Sequence, residues 1–271
     1  MRGQLTALAV AMCVASVACA ASNSPFNTNP FGAEPGGRAV KLPPAVQMDW
    51  HGFGVNLDPT VELWAHQAHV DLVKTVTGAL ANIEGRLHAT PSPIAIEAGT
   101  FGIIPDVGIG GYTDPYSGRV QISMDSGTPL GLHVLLETWV PLSLAHELHH
   151  AKRILDGPGY GATLGEAVVT EGAAEAFVFE AFPNSPQIPW SQPLPAADAA
   201  RVWRQLRAQR NAPDDPYLHE QWFFGKGGLP HWAGYRIGLT IVRSYLAKHR
   251  GVTAAQLAMT PAADVLRGFS L

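Results

Sequence analysis

Between residues 61 and 87 the apolar positions recur at helical spacing, and the pattern predicts one long helix. Asp58-Pro59 in front of it is a start signal: a carboxylate to cap free N–H groups, then a proline whose fixed φ suits a first turn. Pro91 and Pro93 end the run. The period then changes. Residues 94–96 and 101–104 cluster in a strand-like way. In residues 119–124, Val120, Ile122 and Met124 alternate with Gln121 and Ser123, so three apolar side chains share one face of a strand. Residues 108–115, with three glycines and a proline, read as a turn-rich loop. From Leu132 the helical pattern returns, predicting helices over roughly 132–155, 163–182, 197–210, 232–249 and 253–268, with Pro141 breaking or kinking the first. Residues 183–196 and 212–230 read as loops. A helix, then strands, then helices imply an α+β fold: a small antiparallel sheet beside a mainly helical lobe, with a cleft between them.

The N-terminal region departs from this pattern. Arg2, a short apolar run over 5–17 and Ala18-Cys19-Ala20 have the form of a signal peptide cut after Ala20 (residues 1–20). The chain is therefore expected to be exported, to a periplasm or outside the cell, with lipid anchoring through Cys19 as the alternative. Residues 21–46, rich in Asn, Pro, Gly and Ser, read as a flexible arm or linker. After the leader no apolar run is long enough to span a membrane. Cys13 and Cys19 are the only cysteines. The rest of the chain can thus form no disulfide and no thiolate centre, and any metal must be held by histidines and carboxylates. Of the 271 residues 46% are apolar and 15% charged, a balance that folds. The formal net charge of −4 gives no basic surface, which argues against a nucleic-acid partner.

One short segment carries the chemistry. His146-Glu147-Leu148-His149-His150 has the form H-E-x-x-H. Residues four apart share a helix face, so His146 and His150 can aim at one ion while Glu147 stands on the neighbouring flank, where a carboxylate can meet water. Leu144, Leu148, Ala151 and Leu155 form an apolar stripe roughly opposite the two histidines, as in a helix packed behind a cleft. His149 reads as a surface or packing residue. Further on, Glu171 and Glu175 lie four apart in an otherwise apolar helix and would be buried together. Buried carboxylates need compensation. A zinc ion bound by Glu171 would supply it, and Glu175 could accept a hydrogen bond from a ligand histidine. Gly172, mid-helix, suggests close approach to the metal helix. His66 and His69 read as a surface pair.

H-E-x-x-H followed by Glu171-Gly172 on the next helix resembles the gluzincin zinc peptidases, and the Glu171-Gly172-x-Ala174 run is similar to that of the zinc aminopeptidases. Wider stretches resemble a bacterial family of predicted zinc-dependent proteases: Gly111-Tyr112-Thr113-Asp114, residues 120–125, both metal-site helices and Gly234-Tyr235-Arg236-Ile237-Gly238. The resemblance implies a zincin-like metal helix in the cleft of a peptidase domain over 47–271. It implies Zn2+ held by His146, His150 and Glu171, Glu147 as general base, and Tyr235 or His231 as a donor to the oxyanion. Residues 119–124 would be the edge along which an extended peptide pairs. The expected partner is a peptide or protein substrate. Two other classes stay open: a non-catalytic zinc-containing binding or sensor protein, and a zinc hydrolase of a non-peptide amide. An edge strand paired with a peptide ligand would favour the peptidase, and a closed pocket with no strand edge the non-peptide hydrolase.

Overall fold

The computed structural model describes residues 41–271, so the leader, its cysteines and residues 21–40 of the arm lie outside the described residues. Residues 41–45 have no regular structure. The chain then forms β1 (Val46–Trp50) and β2 (Phe53–Leu57), joined by His51 and Gly52, both at positive φ. That two-residue hairpin suits the twist of its strands. Phe53, Val55 and Leu57 are buried and Gly54 and Asn56 exposed, a strict alternation.

Asp58 caps α1 (Pro59–Ala68), accepting a 2.7 Å hydrogen bond from the Thr60 N–H, as the Asp-Pro pair predicts. The expected single helix is two. The chain turns at His69, at φ 56°, and restarts behind Asp71 as α2 (Leu72–Leu87). His66 and His69 are exposed.

The sheet continues with β3 (Ile94–Ala98), β4 (Ile109–Thr113) and β5 (Val120–Met124), in the order β1-β2-β3-β5-β4. It is mixed rather than antiparallel throughout: β2 and β5 both run parallel to β3. The α1–α2 pair is the crossover that lets β2 and β3 run parallel, since a tight hairpin cannot. Val120, Ile122 and Met124 are all fully buried, as their alternation predicts. A second expectation is overturned. Residues 119–124 are not the edge, because β5 lies between β3 and β4. On that side the edge is β4, from the Gly-rich stretch that reads as a loop.

The expected 132–155 helix runs through a short turn, α3 (Leu132–Val134), and a π turn over Leu135–Trp139 into α4 (Val140–Leu155). Pro141 cannot donate to the Glu137 carbonyl and its ring crowds it. The wider π turn takes up that misfit, so the chain passes into α4 without a break. Helix α4 packs against β4 and β5 on one side and against α2 and α5 (Leu164–Ala181) on others. The remaining helices are α6 (Ala196–Gln209), α7 (Pro216–Phe223), α8 (Ala233–Lys248) and α9 (Ala262–Leu266). Helix α7 lies in the stretch expected to be loop. The expected 253–268 helix is a 3-10 turn over Ala255–Met259 and the short α9, separated by Pro261, which cannot continue a helix. No helix among the described residues is long and apolar enough to cross a membrane. The fold is α+β.

Helices α5 and α8 cross in near backbone contact. A Cβ at Gly172 would stand 2.2 Å from the Gly238 carbonyl carbon, and one at Gly238 would stand 2.2 Å from the Val168 oxygen. The close approach expected of Gly172 is therefore to α8 and not to α4. Because backbone cannot yield as a side-chain tip does, Gly238→Ala is expected to cost about 1–3 kcal/mol. Its melting temperature should fall by roughly 2–12 °C. Gly85→Ala on α2, where a Cβ meets nothing within 4 Å, is the control and should leave the melting temperature unchanged or raised. Thermal unfolding of the two variants checks this.

Candidate metal centre

Helix α4 presents His146 and His150 one turn apart, and α5, crossing behind it, presents Glu171 and Glu175. Thr163 and Glu166 start α5 with a reciprocal capping box, which fixes where its first turn begins. The His146 Nε2 and His150 Nε2 atoms are 3.0 Å apart, and Glu171 Oε2 lies 3.1 Å from the first and 3.4 Å from the second. Among the described residues this is the group of histidines and carboxylates that could hold a metal ion, its three ligand atoms all within 4.8 Å of one another. Glu171 and Glu175 are each 1% exposed.

The atoms not needed for a metal are held by the protein. The His146 Nδ1–H donates to Glu175 Oε1 at 3.1 Å, which fixes the tautomer and turns Nε2 toward the cluster. Glu175 also accepts from the Trp190 indole N–H at 2.6 Å and from the Ser191 hydroxyl. The Tyr160 hydroxyl donates to Glu171 Oε1 at 2.7 Å, leaving Oε2 toward the histidines. Burial, with the charges of Glu171 and Asp214, pushes the Tyr160 pKa well up, so it remains a donor. Two imidazole nitrogens and one carboxylate oxygen suit zinc, which takes such a set with a fourth position open to water or substrate.

Glu147 stands beside them in a different setting. The Thr113 hydroxyl, on β4, donates to Glu147 Oε2 at 2.7 Å. A Cβ at Gly111 would come within 2.3 Å of Glu147 Oε1, so only glycine leaves the carboxylate its place. Behind α4, His149 is fully buried and donates to the Ala254 carbonyl at 3.2 Å. Burial and the neighbouring His150 hold its pKa well down, and it is a packing residue. Arg153 is 1% exposed and donates to the Leu257 and Thr260 carbonyls, tying the 255–259 turn to α4.

A cavity of about 840 Å3, counted to its open mouth, gathers His146, Glu147, His150, Glu171, Glu175 and Tyr235. Burial, and then the Glu171, Glu147 and Glu175 charges, push the Tyr235 pKa well up, so its phenol keeps its proton. His231 is exposed and stacks on Trp232 with ring centroids 3.9 Å apart, outside the cavity lining. Apart from Ser143 the rest of the wall is apolar and includes Trp139, Trp190 and Trp232. Trp232 sits at φ 58°, ψ 28°, a left-handed conformation that costs a bulky residue of order 1–3 kcal/mol. Thr113, Tyr160, Trp139 and Ser191 are site residues that carry no sequence signal of their own. Thr113 lies in a stretch that marks the family resemblance, whereas Tyr160 and Ser191 come from connecting segments.

A family described as predicted Zn-dependent protease (DUF2268) matches residues 121–267, more than half of the chain. This chain belongs to that family. The match takes in α4, α5 and α8, and so His146, Glu147, His150, Glu171 and Tyr235, while Gly111 and Thr113 precede it. The uncharacterized protein YjaZ of Bacillus subtilis (strain 168) is 32% identical over 119 residues, 43% of this chain. The matched segment covers 46% of YjaZ, so the chain spans about half of that curated relative.

Proposed function

We propose that the chain is an exported zinc-dependent peptidase that hydrolyses peptide bonds with Glu147 as general base. The observation that carries the reading is a carboxylate fixed by Thr113 and Gly111 in the same cavity as the His146, His150 and Glu171 cluster. A structural metal site needs no such base. Bound to that cluster, zinc supplies Lewis acidity, which lowers the pKa of water and polarises an amide carbonyl. The chain's own groups do the rest. Glu147 accepts the proton that the attacking water loses and returns it to the departing amine nitrogen. Tyr235 holds its proton and donates to the oxyanion of the tetrahedral intermediate. Glu175 keeps the His146 ring in place through Nδ1.

The edge of β4 supports a peptide as substrate. Asp114 N–H donates to the Arg119 carbonyl and Asp125 N–H to the Gly108 carbonyl, so even-numbered positions of the strand face β5. The odd-numbered Gly111 turns its N–H and C=O outward, directly beside Glu147. An extended peptide pairing there lies across the cavity. Export rests on Arg2, the apolar run over 5–17 and Ala18-Cys19-Ala20.

Cleavage of a mixed peptide library, read by mass spectrometry, tests the function. It should vanish with a chelator and return with zinc. Cleavage that survives full removal of the metal would overturn the reading. Tyr235→Phe keeps the packing on Phe223, whose ring centroid is 5.0 Å away, and removes only the hydroxyl. Its kcat should fall by about 10²–10³-fold with little change in KM. Full activity would make Tyr235 a packing residue.

A further inference from the structure

Three indoles from three separate elements meet in the cavity wall. Trp139 closes the π turn, Trp190 lies in a 3-10 turn over Pro189–Ser191, and Trp232 caps α8. Trp190 stands between the other two, with ring centroids 5.8 Å from Trp139 and 6.0 Å from Trp232. Its N–H is committed to Glu175, so the ring is pinned and offers the cavity apolar carbon. The backbone reinforces the point. Trp232 is half-buried, lines the cavity and is held at positive φ, a placement that core packing does not require.

Charge narrows the ligand. Among the described residues no lysine or arginine lines this cavity. Each carboxylate in it is engaged: Glu147 by Thr113, Glu171 by His146 and Tyr160, Glu175 by His146, Trp190 and Ser191. Away from the metal cluster an acidic side chain would meet no lysine or arginine of the lining, and a basic one would have to take a carboxylate from its present partners. A large apolar ring or branched aliphatic group would instead gain dispersion and edge-to-face contact with the indoles.

We propose that Trp139, Trp190 and Trp232 form the specificity pocket, seating an aromatic or large aliphatic side chain of the peptide next to the cleaved bond. This deepens the peptidase reading and rests on it, but binding tests it apart from catalysis. The probes are acetylated, amidated Ala-rich hexapeptides that differ at one central position: Phe, Leu, Ala, Lys or Glu. Affinities are measured by titration calorimetry on the zinc-loaded Glu147→Gln protein. The Phe and Leu peptides should bind about 10–100-fold more tightly than the Ala, Lys and Glu peptides. Trp232→Gly in the same background suits φ 58° and should retain the fold. It should reduce the Phe advantage to less than about threefold while the Ala peptide keeps its affinity.

Equal affinity across the series, tighter binding of Lys or Glu, or no binding of any peptide would overturn the proposal. So would an unchanged Phe advantage in both Trp232→Gly and Trp139→Leu. Selective Phe binding by a protein whose wild type cleaves none of these peptides would count against the peptidase reading and leave the pocket standing. Cleavage with flat binding would do the reverse.

Discussion

Glu147→Gln is expected to lower turnover by about 10²–10⁴-fold, the usual contribution of a positioned general base, while zinc content stays at the wild-type level. The amide oxygen of Gln can still accept the Thr113 hydroxyl, so the side chain keeps its place, but it cannot take a proton from water. Metal retention follows from geometry, because Glu147 is not one of the three residues whose ligand atoms cluster within 4.8 Å. Wild type and variant are compared on one peptide library, with zinc counted in the same samples. Wild-type turnover in the variant would remove Glu147 from the mechanism. Cleavage by neither protein would favour a binding module whose zinc is structural.

The residues that could hold a metal were legible in the sequence because helical periodicity puts His146 beside His150 and Glu171 beside Glu175. Burial of the two carboxylates was legible for a related reason: α5 is apolar on every side. What escaped depends on contacts distant in sequence. Which strand is outermost is a property of the whole sheet, and no local pattern says that β4 lies outside β5. The partner of Gly172 is a glycine on α8, 66 positions on by residue number, and nothing near Gly172 marks it. Tyr160 reaches Glu171 only after the chain between α4 and α5 has folded back. Two other elements do carry a local signal. Asp215-Pro216 opens α7 with the same cap and proline as Asp58-Pro59, but it sits in a Pro-rich stretch that reads as loop. The alternation of Phe53, Val55 and Leu57 around a Gly52 turn marks the first hairpin equally well.

Glu171→Ala should weaken zinc binding by more than the 10–100-fold that follows loss of a residue supporting a ligand. It leaves two histidines as the remaining ligands and strands the buried Tyr160 hydroxyl without its acceptor. Glu175→Gln, which only supports His146, is the comparison and should stay within that 10–100-fold range. Equilibrium zinc titration against a chelator reads both. Normal affinity in Glu171→Ala would move the third ligand elsewhere, with Glu175 the next choice. The pH dependence separates the roles further. In the zinc-free chain burial favours a neutral His146, but its hydrogen bonds to Glu171 and Glu175 outweigh that and hold its pKa well above the usual histidine value. Burial of Glu171 is likewise outweighed, by His150 and His146, and its pKa lies well below the usual carboxylate value. The stability this pair gives the zinc-free chain is lost as pH rises through the His146 pKa, and again in acid as pH falls through that of Glu171. Zinc must displace the His146 proton, so apparent affinity should rise about tenfold per pH unit from the usual histidine range up to that raised pKa. Glu171→Ala removes one of the two carboxylates holding the proton. Its residual zinc binding should therefore stop depending on pH at a lower pH than in the wild type.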